Sequence, residues 1–550
     1  MKKKRFTILN YKKSILLATI CIGCALIVFF TTKQHTIDFN TEVKPIINAS
    51  CISCHGGVKS SGEFSLLFRE EALAVTESGK PSIIPGDPDH SEMIRRLTLD
   101  DPQERMPQKH ERLPDDQIET LREWIKQGAV WGDHWAYVPL QKVEPPVEKG
   151  NLWGLIPASK PAWIRNNVDY FIYDKLKQQD LQPAPQADNA TLLRRVSLDL
   201  TGLPAGESLT KKFLQSTSEH AYEELVDSLL ASPTFGERWA TVWLDIARYA
   251  DTKGYERDGD RNVWRYRDWL IRAFNQDKPY DEFITEQLAG DLLPNPTDDQ
   301  YIATVFHRNT MTNDEGGTDN EEFRTAAVLD RVNTTFEGLM STTFSCIQCH
   351  SHPYDPFKHE EYYEVAAFFN DSRDEDTYDE YPLLRHYEQT DLAKLDSIVS
   401  WVENNGSTQQ ADKVNTFLKT WQPAINSIAA DKFVNSDLND TKWLMFRNNG
   451  SARLAAVDLS QKTQLMFRYA GYLPGGVWRI HLDSPTGALL KTIPVEQTNG
   501  WQIASTDIPE TKGVHDLYLS YTNPNLTNPD QSGMQFDWFH FSSALPGEDK

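Results

Sequence analysis

The hydrophobic pattern changes character twice along the chain. An unbroken apolar run from Ile15 to Phe30 follows a cluster of cations, Lys2, Lys3, Lys4, Arg5, Lys12 and Lys13, and is closed by Lys33. Its length lies between a signal-peptide core and a full membrane span, and no small-x-small cleavage signal follows Phe30. The run predicts an uncleaved anchor within residues 1–36, with the leading cations on the cytoplasmic side and the rest of the chain outside the cytoplasmic membrane. A cleaved segment would make the protein secreted instead.

Beyond the run the apolar period is helical. Val43-Lys44-Pro45-Ile46-Ile47 is amphipathic, and residues 115–127 place Ile118, Leu121, Trp124 and Ile125 on one face ended by Gly128. Trp239, Trp243, Ile246 and Ala247 repeat at i, i+4, i+7 and i+8, and residues 264–274 and 280–293 predict two more helices broken by Pro279 and Pro294. An acidic stretch over residues 371–381 reads as a solvated connection, and residues 391–428 as helical. From Trp443 the period becomes two: Gln464-Leu465-Met466-Phe467-Arg468-Tyr469, Trp478-Arg479-Ile480-His481-Leu482 and Leu517-Tyr518-Leu519-Ser520-Tyr521 alternate, separated by Pro474-Gly475-Gly476, Asn499-Gly500 and Lys512-Gly513. Short strands at this spacing predict an antiparallel β-sandwich of the jelly-roll kind. The fold class is therefore multidomain: a small helical unit over 37–132, a mainly α region over 133–372, an acidic and helical linker over 373–430 and the sandwich over 431–545.

A length of 550 residues calls for several cores, and 39% hydrophobic content supplies them. The net charge of −23 repels phosphate backbones, so nucleic acid is not an expected partner.

The six cysteines change the picture most. Four of them form two copies of Cys-x-x-Cys-His, Cys51-Ile52-Ser53-Cys54-His55 and Cys346-Ile347-Gln348-Cys349-His350. This is the attachment signature of a c-type haem: two thiols add to the haem vinyl groups and the adjacent histidine binds iron. A zinc site takes four ligands from paired motifs, and a thioredoxin-like pair sits in a βαβ unit; neither accounts for two histidine-terminated copies so far apart. Two covalent haem c groups are expected, attached at Cys51, Cys54, Cys346 and Cys349, with His55 and His350 as proximal ligands. An extracytoplasmic location suits such chemistry.

The sixth coordination position decides between electron transfer and ligand binding. Met106, in Arg105-Met106-Pro107, is the candidate at the first haem, its alternative role being a gap-filling core methionine. Around the second haem His307, Met311, His352 and His359 are near in sequence; His307 is the candidate carried forward, and each histidine has a plain hydrogen-bonding alternative. The run from Asn313 to Glu322 gathers carboxylates about a glycine turn. It fits calcium binding through hard oxygens, acid/base chemistry by Asp314 and Glu315 beside the haem, or a solvated turn leading into a helix.

These motifs resemble a known family. Cys51 to Gly56, Ser82-Ile83-Ile84-Pro85-Gly86-Asp87-Pro88, Arg105-Met106-Pro107 and Trp124-Ile125-Lys126-Gln127-Gly128-Ala129 are similar to the planctomycete-type cytochrome c domain, which implies His55 and Met106 as axial ligands. His134-Trp135-Ala136-Tyr137, the Arg194 to Pro204 segment, Phe235-Gly236-Glu237-Arg238-Trp239, Glu286 to Asp291 and Cys346 to Pro356 resemble the second cytochrome-like domain that accompanies it, a domain of undefined role. Gly475 to Gly487, Gly500-Trp501-Gln502, Gly513 to Leu519 and Phe536-Asp537-Trp538-Phe539 resemble carbohydrate-binding modules of family six. Such modules stack sugars on aromatic faces, which makes Trp501 and Tyr472 the candidate platforms. Members of the family often continue into a further domain, so a chain ending at Lys550 reads as a short or truncated form.

The resulting expectation is a membrane-anchored, extracytoplasmic dihaem cytochrome that exchanges electrons with redox partner proteins while its sandwich holds polysaccharide. Two other readings use the same parts: a haem oxidoreductase acting on a carbohydrate-derived substrate, and a non-catalytic carbohydrate-binding scaffold.

Overall fold

The computed structural model describes residues 35–140, 142–146, 161–313, 319–372, 382–420, 425–440 and 442–543. The anchor expected within residues 1–36 lies almost wholly outside them; among the described residues no helix is long and apolar enough to cross a membrane. The chain divides into two compact units. One holds the described residues up to Ala184 together with Ser345–Tyr363, the other Pro185–Phe344 together with Glu364 onward.

In the first unit, helix α1 (Lys44–Ser50) begins after a single wide turn capped by the Asp38 side chain and carries Pro45 in its first turn, where no amide hydrogen is missed. Helix α2 (Asp115–Lys126) has Asp115 and Asp116 at its positive end and stops at Gly128, whose φ of +103° suits glycine. Its predicted face is fully buried: Ile118, Leu121, Trp124 and Ile125 share a core with Val43 and with Ile46 and Ile47 of α1. The Trp124 indole N–H donates to the Val130 carbonyl at 2.9 Å, so its ring is buried without an unpaired donor.

The second unit begins with a helical region. Helices α3 (Pro233–Ile246), α4 (Trp264–Asn275) and α5 (Tyr280–Ala289) share a core of Ala240, Trp243, Tyr266, Trp269, Leu270 and Phe283. Gly236 permits the crossing of α3 and α4, because a β-carbon there would lie 2.4 Å from the Ile271 carbonyl oxygen. Of the expected face Trp243 and Ala247 are buried and Ile246 packs against the same core, whereas Trp239 is left 38% exposed because the buried stripe runs through Gly236 and Ala240. Helix α6 (Asn320–Met340) follows, and α7 (His359–Phe369) starts within the first unit and ends in the second. The stretch expected to be helical to residue 428 is a pair, Gln389–Asn405 and Thr408–Lys419, interrupted at Gly406.

The C-terminal strands form one curled antiparallel sheet: β1 (Ile425–Asn426), β2 (Ala430–Asn439), β3 (Trp443–Asp458), β4 (Gln464–Gly471), β5 (Gly476–Leu482), β6 (Leu489–Val495), β7 (Gln502–Asp507), β8 (Val514–Thr522) and β9 (Ser532–Ser542). Their order is β6-β5-β8-β3-β9-β4-β7, with β1 on β9 and β2 on β3. Alternate residues Leu465 and Phe467, Trp478 and Ile480, and Leu517, Leu519 and Tyr521 point into the core, with Trp478 wedged against Phe467 and Phe536 at ring separations of 4.9 and 4.5 Å. The fold is the expected jelly-roll sandwich, starting a few residues earlier than residue 431 because β1 and β2 already pair.

Candidate haem-attachment sites

The first motif is built as the continuation of α1. The backbone N–H of Cys51 donates to Ile47 O at 2.9 Å, and those of Cys54 and His55 donate to Cys51 O at 3.1 and 3.0 Å, so one helical turn presents both thiols and the imidazole together. His55 Nδ1 lies 3.3 Å from the Phe64 carbonyl, and its ring is tilted against Phe64 at 5.0 Å. With Nδ1–H given to the carbonyl, the Nε2 lone pair is the one left for a metal. Burial holds the His55 pKa below its ordinary value, which favours the neutral ligand form.

Cys51, Cys54, Cys346 and Cys349 are all free. Burial, with Cys54 close by, pushes the Cys51 thiol up to about 11. Two thiols and an imidazole offered from one turn fit covalent haem. Met106 packs on the same core as Cys51, Ile52 and Leu73. Its N–H donates to Arg96 O at 3.0 Å, and Arg96 is gripped by Glu92 at 3.0 Å, so the methionine loop is tied to the helix Glu92–Leu97.

The second motif sits in a tight turn over Phe344–Gln348, with Cys346 and Cys349 exposed and His350 half-buried. His350 Nδ1 is 2.8 Å from Ser351 O, which again leaves Nε2 open. His352 has a different task. Its Nδ1 accepts the backbone N–H groups of Asp355 at 2.8 Å and Tyr354 at 3.3 Å, which places its proton on Nε2 and makes it a loop staple rather than an iron ligand. His359 gives Nδ1 to Ile347 O at 2.7 Å, holding the motif to the first turn of α7. Met311 is 56% exposed. His307 belongs to the other unit, where it is buried and burial pushes its pKa down to about 3.

Sequence reasoning missed the relation between the motifs. The segment after His350 packs within the same unit as the first motif. A β-carbon on Gly57 would lie 2.4 Å from Ser351 O, and Lys358 reaches both Glu70 (3.3 Å) and the face of Phe68 (5.2 Å). His134 Nε2 lies 3.1 Å from Asp355 Oδ1, and Tyr137 meets Phe357 edge-on at 5.6 Å. Of these partners His134, Tyr137, Ser351 and Asp355 sit in stretches already singled out as motifs, but nothing in the pattern pairs one stretch with another.

Asp314 and Glu315 lie outside the described residues; nearby, Asp319 caps α6 by accepting the Glu321 N–H at 3.0 Å. Among the described residues no group of three His, Cys, Asp or Glu side chains is placed to hold a metal ion such as calcium. In the sandwich, Tyr472 is 40% exposed, whereas Trp501 is half-buried between Trp443 (5.8 Å) and the Arg468 guanidinium (5.3 Å), itself paired with buried Asp537 at 2.6 Å. Gly471 N–H donates to Thr498 Oγ1 at 3.0 Å, which joins the Tyr472 loop to the loop before Trp501, so the two aromatic candidates share one end of the sandwich.

The fold and sites define a c-type haem protein with an appended carbohydrate-binding module. Residues 51–110 match the family described as Planctomycete cytochrome C, residues 167–374 a protein family of unknown function (DUF1549), and residues 430–543 carbohydrate binding module family 6. The three matches follow one another along the chain. Endo-1,4-beta-xylanase A of Thermoclostridium stercorarium is 38% identical over 71 residues, 12% of this chain and 12% of that protein, so the chain spans about an eighth of that relative's length. Two solved modules are similar to the sandwich. A family 6 module from Clostridium cellulolyticum in complex with xylose is 23% identical, with a TM-score of 0.20, covering 22% of this chain and 95% of its own. The CsCBM6-3 module of Clostridium stercorarium in complex with cellobiose is 24% identical, with a TM-score of 0.19, covering 22% and 92%.

Proposed function

We propose that this protein is a dihaem electron-transfer cytochrome of an extracytoplasmic compartment, anchored through residues 1–36 and held on polysaccharide by its β-sandwich. The observation that carries the reading is the seating of Gly57 against Ser351. Given that contact, chain geometry limits the α-carbons of His55 and His350 to at most about 17 Å apart. Two attachment motifs in one unit support a pair of redox groups that act together.

Haem, when bound, supplies reversible one-electron chemistry at iron. The chain supplies the rest. Cys51 with Cys54, and Cys346 with Cys349, anchor the two groups; the carbonyls of Phe64 and Ser351 orient His55 and His350 so that each offers Nε2. Met106, which packs on the same core as Cys51, would serve with His55 to hold the iron at the first site, where a thioether ligand would raise the potential. Tyr472 and Trp501 form the sugar platform, and redox partner proteins dock on the haem unit.

The test is expression with a cytochrome c maturation system followed by pyridine-haemochrome quantitation. Two covalent haems per chain, with six-coordinate spectra at the first site, support the reading. One haem per chain, or zinc at either motif, defeats it.

A further inference from the structure

The turn that carries the second motif is held by side chains from outside it. Ile347 and Gln348 are the two residues between Cys346 and Cys349. His359 Nδ1–H donates to Ile347 O at 2.7 Å, and the Tyr363 hydroxyl donates to Gln348 O at 2.9 Å. Two further bonds join the same stretch to α7: the Gln348 amide donates to the Tyr362 hydroxyl at 3.0 Å, and the His359 backbone N–H donates to Ser351 Oγ at 3.2 Å. His359 and Tyr363 stand one helical turn apart on α7, their rings edge-on at 5.3 Å. All of these residues lie in the first unit.

The need for such a clamp follows from where the chain goes after His350. In a continuing helix the Gln348 carbonyl would accept the N–H of residue 352. Here the His352 N–H donates to Phe357 O at 2.9 Å, and a side chain takes its place at Gln348. The first motif is built differently: the Cys51 N–H continues the ladder of α1, and the N–H groups of Cys54 and His55 both donate to Cys51 O. One motif takes its shape from the helix before it, the other from the helix after it.

Attachment makes the shape of the turn matter. The two vinyl groups of haem are fixed on a rigid ring, so both thiols must be offered at one spacing. Each thioether forms when sulfur bonds to one carbon of a vinyl double bond and the thiol hydrogen passes to the other, a step that balances without an oxidant. Its rate depends on how often the thiols occupy the productive geometry. Cys346 and Cys349 are exposed, so packing does little to fix their spacing. Pinning the carbonyls of both intervening residues restrains the backbone torsions that set it.

We propose that His359 and Tyr363 are the positioning residues of the second attachment site, holding the Cys346–Cys349 turn in the shape that accepts haem. The proposal rests on the haem reading of that motif.

The full chain is expressed with a cytochrome c maturation system, and thioether-linked haem at each motif is quantified by peptide mass, the first motif serving as the control within the same molecule. In Tyr363→Phe, which removes only the hydroxyl, and in His359→Ala, haem at the second motif is expected to fall by at least about threefold relative to the first. His359→Asn, whose side-chain N–H stands where Nδ1–H stood, restores it. Should His359→Ala fail to fold, seen as loss of haem at both motifs, Tyr363→Phe decides. Wild-type occupancy in Tyr363→Phe overturns the proposal, as does a His359→Asn protein no better than a folded His359→Ala. A wild-type chain without thioether-linked haem at Cys346 and Cys349 defeats the haem reading itself, and the proposal with it.

Discussion

Gly57, two residues beyond His55, rests against the carbonyl oxygen of Ser351, the residue that follows His350. There is no room for a side chain: a β-carbon would also meet Leu67 Cδ1 at 3.1 Å. Gly57→Ala is therefore expected to lower stability by about 1–3 kcal/mol, the usual effect of overpacking a tight contact. It should also change the separation between the two midpoint potentials. Denaturant melts and a spectroelectrochemical titration measure both; unchanged potentials would mean that the motifs do not sense one another.

Met106→Ala should leave both haems attached and lower the potential of the first by roughly 0.1–0.2 V, a fraction of the ~0.8 V that axial ligands govern. The second haem's wave should not move. A redox titration resolves the two waves.

His352→Ala separates stapling from ligation. Because His352 Nδ1 accepts two backbone N–H groups, its loss should cost about 1–2 kcal/mol while the spectrum of the second haem keeps its axial signature. A change of spin state on this substitution would show that His352 binds iron after all.

Glu92 gives a pH-dependent prediction. Hydrogen bonds and charge from Arg95 and Arg96 pull its pKa down to about 2 from an ordinary 4.5. A carboxyl whose folded pKa is depressed stabilises fully above the unfolded value and loses that contribution as pH falls through the folded one. Wild type should exceed Glu92→Gln by about 1–2 kcal/mol at pH 7, and the gap should close between about pH 4.5 and pH 2. Chemical denaturation across that window checks it.

Tyr472 and Trp501 should differ. Tyr472→Ala, at an exposed position, is expected to weaken binding to a polysaccharide by roughly tenfold with no change in melting, from the loss of one stacking face. Trp501→Ala should lower stability as well, because its ring lies between Trp443 and Arg468. Calorimetric titration beside thermal melting separates the two.

Local order was legible in the chain and long-range order was not. The face of α2 follows directly from the spacing of Ile118, Leu121, Trp124 and Ile125, and the inward residues of β4, β5 and β8 from strict alternation. Both periods are properties of consecutive residues. Trp239 misled because the buried face of α3 is chosen by Gly236 at its crossing with α4, a tertiary constraint invisible to the period. Cys-x-x-Cys-His made both candidate attachment sites readable, since that signature lies in five consecutive residues. The pairing of His134 with Asp355 was hidden because it joins residues far apart in the chain, each of which has an ordinary local reading.

That pairing also governs how the molecule comes into being. Residues 345–363 complete a unit whose remainder ends at residue 184, so during synthesis the early segment must wait for a long stretch of chain to emerge before its last piece arrives. Closing so large a loop adds only logarithmically to the entropy cost, but it makes the step slow. A nascent chain halted before Ser345 would carry the first motif beside an unfilled surface, so the two motifs reach their folded setting at different moments.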